Sequence, residues 1–172
     1  QIASEDVIQS CKKGAIGAHP TLLPKGRGRA AIPWAIIKGL DSTGLTFFNM
    51  DKGVDTGDIL EQVKIPIVKD ETSSTLYEKV NIAHTDSIEK IWPKIIENSL
   101  VGEKQNESEA TYWEGRTPKD GEIKPNNMTV EEVDRLVRAT TKPYPGAFIL
   151  QNNKKIVIWS GTKNEGIKGM KI

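Results

Sequence analysis

Cysteine is almost missing: Cys11 is the single one in 172 residues. One thiol cannot close an internal disulfide, so a disulfide-stapled secreted scaffold is excluded and a reducing compartment is expected. No motif surrounds Cys11 to mark it as a nucleophile, so it reads as structural. Long apolar runs are missing too. None approaches the roughly 20 residues needed to cross a bilayer, so no membrane partner is expected. An excess of charge is also lacking: the net value is +1. That argues against a nucleic-acid duplex as the dominant partner, since phosphate binding draws on a basic excess. Metal-ligand spacing is absent, and so are internal repeats and low-complexity tracts. The chain opens at Gln1 with neither a Met nor a secretory pattern, which reads as a piece of a longer polypeptide. Its length suits one domain, or one with a small appendage.

What is present is an alternation of short elements. Residues 4–13 read as a helix capped by Ser4, with Glu5 and Asp6 in its first turn and Gly14 at its end. Ala15–Ala18 is small and apolar and reads as a short buried strand. Thr21–Ala30 holds Pro24, Gly26 and Gly28 among Lys25, Arg27 and Arg29, a basic loop. Ala31–Leu40 looks helical, with Pro33 in its first turn. Leu45–Met50 is a strand rich in Phe and Thr, and Asp51–Asp58 is a loop. Ile59–Val68 is extended, with Pro66 favouring a sheet edge. From Ser73 to Leu100 the spacing turns helical, with Leu76, Val80, Ala83, Ile88, Ile91 and Ile95 near one stripe. Pro93 should kink or split that helix. Thr111–Pro125 shows no period and looks like a linker. Thr129 and Glu132 make a capping box for a helix with Val133, Leu136 and Val137 on its apolar face. Pro143–Gly146 must turn. Ala147–Leu150 and Lys155–Trp159 then read as a hairpin around Asn152–Asn153.

There are only two histidines. His84 sits mid-helix among core-spaced residues and reads as structural. His19 ends a small-residue strand and precedes the basic loop. Ligands of open α/β sheets bind beyond the carboxyl ends of strands, so His19 is a candidate site residue. Asp55 lies in Gly53–Val54–Asp55–Thr56–Gly57, where glycines allow close approach of a ligand. The plain alternative is a turn aspartate bonding its own backbone.

Taken together, these segments carry a resemblance. Gly17–Ala18–His19–Pro20–Thr21–Leu22–Leu23–Pro24–Lys25–Gly26–Arg27–Gly28 resembles the signature loop of the folate-dependent formyltransferases, roughly Asn-x-His-x-Ser-Leu-Leu-Pro, two residues, Arg-Gly. A second signature is similar to Thr43–Gly44–Leu45–Thr46 followed by Asp55–Thr56–Gly57–Asp58–Ile59. The interval of 36 positions from His19 to Asp55 agrees with the family's His-to-Asp interval. Arg116–Thr117–Pro118–Lys119–Asp120–Gly121–Glu122–Ile123, Leu136–Val137–Arg138–Ala139 and Pro143–Tyr144–Pro145–Gly146–Ala147–Phe148 look like the linker and C-terminal domain of the nucleotide-sugar members.

The resemblance implies an α/β fold: the C-terminal half of a Rossmann-like formyltransferase domain (1–110), a linker (111–127), and the start of a small OB-like β domain (128–172). It implies transfer of a formyl group from 10-formyltetrahydrofolate, the co-substrate, to the primary amine of a nucleotide-linked amino sugar, without a metal. His19 and Asp55 would be catalytic. Gly53, Val54 and Thr56 would offer backbone groups to the folate, and Arg27 and Arg29 would hold anionic substrate groups, as guanidinium suits phosphate. Loop-to-core bonding is the other reading of the two arginines. A cytoplasmic location is expected from the folate donor, the lone cysteine and the absence of a targeting segment, and a homodimer is left open.

Three departures stand against the pattern. The family's catalytic Asn is Gly17 here. The second His of many members is Phe48. The family's first βαβ units would have to precede Gln1. Asn49 lies close to the pattern as a candidate substitute amide, but strand alternation would point it to the opposite face from Phe48. Three other readings follow: methionyl-tRNA formylation, with Lys154, Lys155, Lys163, Lys168 and Lys171 facing tRNA; hydrolysis of formyltetrahydrofolate, against which the linker wording speaks; and a degenerate module that binds without turnover.

Overall fold

A computed structural model describes residues 5–162; the expected cap Ser4 and the lysines at 163, 168 and 171 lie outside them. The elements run α1 (Glu5–Ser10), β1 (Ile16–His19), β2 (Arg27–Gly28), α2 (Ala31–Ile37), β3 (Ser42–Asn49), β4 (Ile59–Pro66), α3 (Ser73–Ile96), β5 (Tyr112–Trp113), α4 (Val130–Thr140), β6 (Ala147–Gln151) and β7 (Lys154–Ile158). They pack into two compact units. Among the described residues, one holds those up to 31, 42–66 and 78–115; the other holds 32–41, 67–77 and those from 116 on.

In the first unit, β1, β3 and β4 form an antiparallel sheet in the order β1-β3-β4. Thr43–Phe48 of β3 are all buried, as expected for a strand covered on both faces. On one face, Phe47 meets His84 of α3 edge-on, ring centroids 4.8 Å apart. His84 is therefore a packing residue. Val80, Ala83, Ser87 and Ile91 form the buried stripe of α3 in this unit. The expected stripe placed Ile88 where Ser87 lies. The steps of four from Ala83 to Ser87 to Ile91 keep one side inward, and Ile88 falls about 100° round the axis and stays exposed. Pro93 does not split the helix. It sits one turn from the end, where a lost N–H costs one bond, and α3 continues to Ile96.

The other face of β3 is covered by the loop after β1. Leu22 lies over Gly44. The buried Thr46 hydroxyl donates to the Thr21 carbonyl at 2.7 Å and accepts the Leu23 N–H at 3.2 Å. β1 differs from expectation: only His19 is buried, and Ile16 and Ala18 are exposed, because β1 ends the sheet order.

The segment expected to be a linker, for want of a period, holds regular structure. β5 pairs in parallel with β2, Arg27 with Tyr112 and Gly28 with Trp113. This pairing requires glycine at 28. Its φ is +107°, and a β-carbon would lie 2.4 Å from the Trp113 carbonyl oxygen. Pro118–Gly121 and Pro125–Asn127 then form 3-10 turns.

In the second unit, α4 opens on the expected capping box. The Thr129 hydroxyl accepts the Glu132 N–H at 3.2 Å, and Glu132 accepts the Thr129 N–H at 2.7 Å. Leu136 and Val137 pack with Ile123 and Ala147 in its core, flanked by Val133, Met128 and Ile37. Arg138 donates to the Glu71 carbonyl and Ser73 to the Ala139 carbonyl, tying residues 67–77 to α4. The hairpin β6–β7 turns at Asn152 and Asn153, both at positive φ, the conformation Asn tolerates in two-residue hairpin loops.

Candidate active site

The carboxyl end of β1, the glycine-rich loop after it and the loop between β3 and β4 converge in the first unit. His19 ends β1 and is 7% exposed. Its Nε2 lies 2.7 Å from the Gly26 carbonyl oxygen. A carbonyl only accepts, so Nε2 carries the hydrogen, and Nδ1 of the neutral ring holds the bare lone pair. That Nδ1 faces Asp55, whose Oδ2 stands 3.5 Å away. A lone pair and a carboxylate oxygen point at one another. The arrangement is complementary to a ring that has taken up a proton at Nδ1.

Asp55 is itself fixed. Its backbone sits at φ +56°, left-handed for a non-glycine residue. Its Oδ2 accepts the Gly28 N–H at 2.8 Å, so the glycine-rich loop binds both partners of the pair. Within the loop between β3 and β4, Asp51 Oδ1 accepts the Gly53 N–H at 2.9 Å and the Thr56 hydroxyl at 2.6 Å. Asp51 was not singled out in the sequence, although Asp two residues before Gly is the signal of such a turn. Val54 is half-buried between these anchors.

The two arginines part company. Arg29 is exposed, its side chain beside Gly115. Arg27 is completely buried, and the expectation that it holds a substrate anion is corrected. Nε and Nη2 donate to Gln105 Oε1 at 3.1 and 2.8 Å. Nη1 and Nη2 grip the two oxygens of Glu107 at 2.9 and 2.6 Å, and Nη1 reaches the Tyr112 hydroxyl at 2.8 Å. All five guanidinium hydrogens are spent on the protein, leaving none for a ligand. Its hydrogen bonds to the Glu107 carboxylate hold Arg27 firmly charged, and Arg27 in turn holds the Glu107 carboxyl below its ordinary value. Gln105, Glu107 and Tyr112 lie in a stretch without periodicity, so no sequence signal reached them.

Gly17 and Phe48 are cross-strand partners on the face that bears His19 and Thr46. A β-carbon on Gly17 would lie 2.7 Å from Cζ of Phe48. The ring occupies the space a side chain at 17 would need. Asn49 points the other way, toward Gly102, and does not replace an amide at 17. Among the described residues, no group of three or more His, Cys, Asp or Glu side chains is placed to hold a metal ion.

This constellation can accept a proton at His19 Nδ1 and balance the charge with Asp55. Known proteins resemble this chain in sequence and fold. Residues 1–90 match the family described as Formyl transferase, and residues 116–170 match Formyl transferase, C-terminal domain. The bifunctional polymyxin resistance protein ArnA of Wigglesworthia glossinidia brevipalpis is 38% identical over 159 residues, 92% of this chain. The chain spans 24% of that relative's length. The methionyl-tRNA formyltransferase from Clostridium thermocellum superposes with a TM-score of 0.73 at 27% identity, covering 88% of this chain and 64% of that one. WlaRD, a sugar 3N-formyltransferase solved in the presence of dTDP and 5-N-formyl-THF, gives 0.66 at 27% identity, over 82% of this chain and 51% of that one. With more than half of its residues matched by the first family, its fold a mixed α/β formyltransferase fold and its two signature loops meeting at His19 and Asp55, the chain belongs to the formyl transferase family.

Proposed function

We propose that the protein to which this chain belongs transfers a formyl group from 10-formyltetrahydrofolate to the primary amine of a nucleotide-linked amino sugar. The observation that carries this is the His19–Asp55 pair, oriented by Gly26 and Gly28. The amine nitrogen attacks the formyl carbon, and a tetrahedral oxyanion forms. The amine loses a proton as its new C–N bond forms. His19 Nδ1 takes that proton, and Asp55 balances the imidazolium. The proton then moves to the folate nitrogen as its bond to the formyl carbon breaks. Proton transfer of this kind contributes about 10²–10⁴-fold. No metal enters the scheme.

On this reading residues 1–110 carry the chemistry, 111–127 connect, and 128–172 begin an OB-like domain. Gly53, Val54 and Thr56 face the folate, and Arg29 alone of the two loop arginines is available to an anionic acceptor. A cytoplasmic site of action suits the folate donor. The sugar acceptor is supported by Arg116–Thr117–Pro118–Lys119–Asp120–Gly121 and by the likeness to the sugar 3N-formyltransferase. The likeness to the methionyl-tRNA enzyme favours a second reading, formylation of methionyl-tRNA. Incubating the full-length protein and the donor with a panel of nucleotide-linked amino sugars and, separately, with methionyl-tRNA decides between them. Mass spectrometry showing a formyl adduct on a sugar amine supports the first reading. A formyl adduct on the tRNA alone replaces it with the second. No adduct on either, with folate still bound, indicates a binding module.

A further inference from the structure

Arg27 has more partners than charge neutrality requires. Glu107 alone grips it with both carboxylate oxygens, yet Gln105 Oε1 takes two further hydrogens from the guanidinium. Those two bonds fix the orientation of the Gln105 amide. Its oxygen must face Arg27, so its Nε2 faces the other way, into the loop between β3 and β4. There Nε2 donates to the carbonyl of Asp55 at 2.9 Å and to that of Gly57 at 2.7 Å. Reversing the amide would set NH₂ against the guanidinium and oxygen against two carbonyls. The buried charge thus dictates which end of Gln105 the loop receives. The loop needs such a hold, because Asp55 occupies the left-handed region, a strained conformation for a non-glycine residue that persists only where its surroundings enforce it.

We propose that Gln105, oriented by Arg27, is a positioning residue that clamps the backbone of Asp55 and thereby aims its carboxylate at His19. Its effect on catalysis rests on the formyl-transfer reading above; its effect on the loop does not. The chain of contacts is Arg27 to Gln105, Gln105 to the Asp55 backbone, and the Asp55 carboxylate to Gly28 N–H and His19 Nδ1. A catalytic group misplaced by about 1 Å can lose about 10²-fold in rate.

The informative variant is Gln105→Glu in the full-length protein. It keeps an oxygen for Arg27 and so preserves the buried charge pair, but it replaces the donor that holds the loop with a second acceptor. Gln105→Ala removes both functions and is the harsher comparison. Two readouts are taken beside thermal melting: the steady-state rate with the donor and a responsive acceptor, and hydrogen exchange of the Gly28 N–H, which Asp55 protects. The clamp predicts about a tenfold to hundredfold fall in kcat for Gln105→Glu and faster exchange at Gly28, with the melting temperature little changed. It also predicts that Gln105→Glu costs less than about twofold further in an Asp55→Ala background, since coupled residues are not additive. An unchanged rate and unchanged exchange overturn the proposal. So does an undiminished further loss in the Asp55→Ala background, which means that Gln105 acts on the fold at large. If the unsubstituted protein formylates no acceptor, the functional reading has failed. Exchange at Gly28 then decides the clamp alone: faster exchange in Gln105→Glu upholds it, and unchanged exchange overturns it.

Discussion

At Gly17 a side chain and the Phe48 ring compete for one volume. In sequence, Gly17 and Phe48 are two separate departures from the family signature, 31 positions apart. In the sheet they are one cross-strand pair, and that joint identity was not legible before the register was known. Asparagine placed at 17 alone overpacks the pair, which typically costs about 1–3 kcal/mol. Thermal melting of Gly17→Asn should therefore show destabilisation, and the double variant Gly17→Asn with Phe48→His should recover most of it. If an amide at 17 can donate to the developing oxyanion, the double variant also forms product faster than the unsubstituted protein, since such a donor is worth about 10²–10³-fold. On the proposed function, His19→Ala removes the proton acceptor, and initial rates should fall by at least about 10²-fold, with donor binding retained. His19 and Asp55 were legible as candidates from their motifs. Their distance, the hydrogen on Nε2 and the full occupation of Arg27 were not: the first two depend on how the folded loop presents Gly26 and Gly28, and the last on residues brought in from Gln105–Tyr112.

At the scale of elements, legibility followed local chemistry. The capping box of α4 and the Asn152–Asn153 turn were readable because the residues that decide them are a few positions apart. Stretches whose order comes from distant pairing were not: 111–127 has no period, yet β5 is held by β2, some 85 residues earlier. The exposure of β1 depended likewise on its place at the end of the sheet order. The cap gives a direct prediction. Thr129→Ala should destabilise the protein by about 1 kcal/mol in urea melts. Glu132 adds a pH signature. The backbone N–H of Thr129, and then its hydroxyl, hold the Glu132 carboxyl below its ordinary value of 4.5. A depressed carboxyl contributes stability above the unfolded value, and loses it as pH falls through the lower folded one. Urea melts on either side of pH 4.5 should show that contribution fading on acidification, and Thr129→Ala should flatten this part of the profile. A profile unaltered by the substitution would remove the Thr129 hydroxyl as a source and leave it to the backbone N–H, which alanine retains.

At the scale of the whole molecule, chain order and packing order differ. Residues 32–41 and 67–77 belong to the unit that begins again at Arg116, while the site residues His19, Gly28, Asp55 and Gln105 all belong to the other. The candidate chemistry is therefore contained in one unit, and substitutions in the core of the second, such as Leu136→Ala, should lower stability without changing the chemistry at His19. Measuring kcat well below the melting transition tests that separation. No helix among the described residues is long and apolar enough to cross a membrane. On the proposed function, Asp55 organises a folate site. This organisation is tested most directly by calorimetric titration of the full-length protein with 5-formyltetrahydrofolate, an unreactive mimic of the donor. Saturable binding that weakens in Asp55→Ala is the expected result. A folded full-length protein that takes up no 5-formyltetrahydrofolate would contradict the claim.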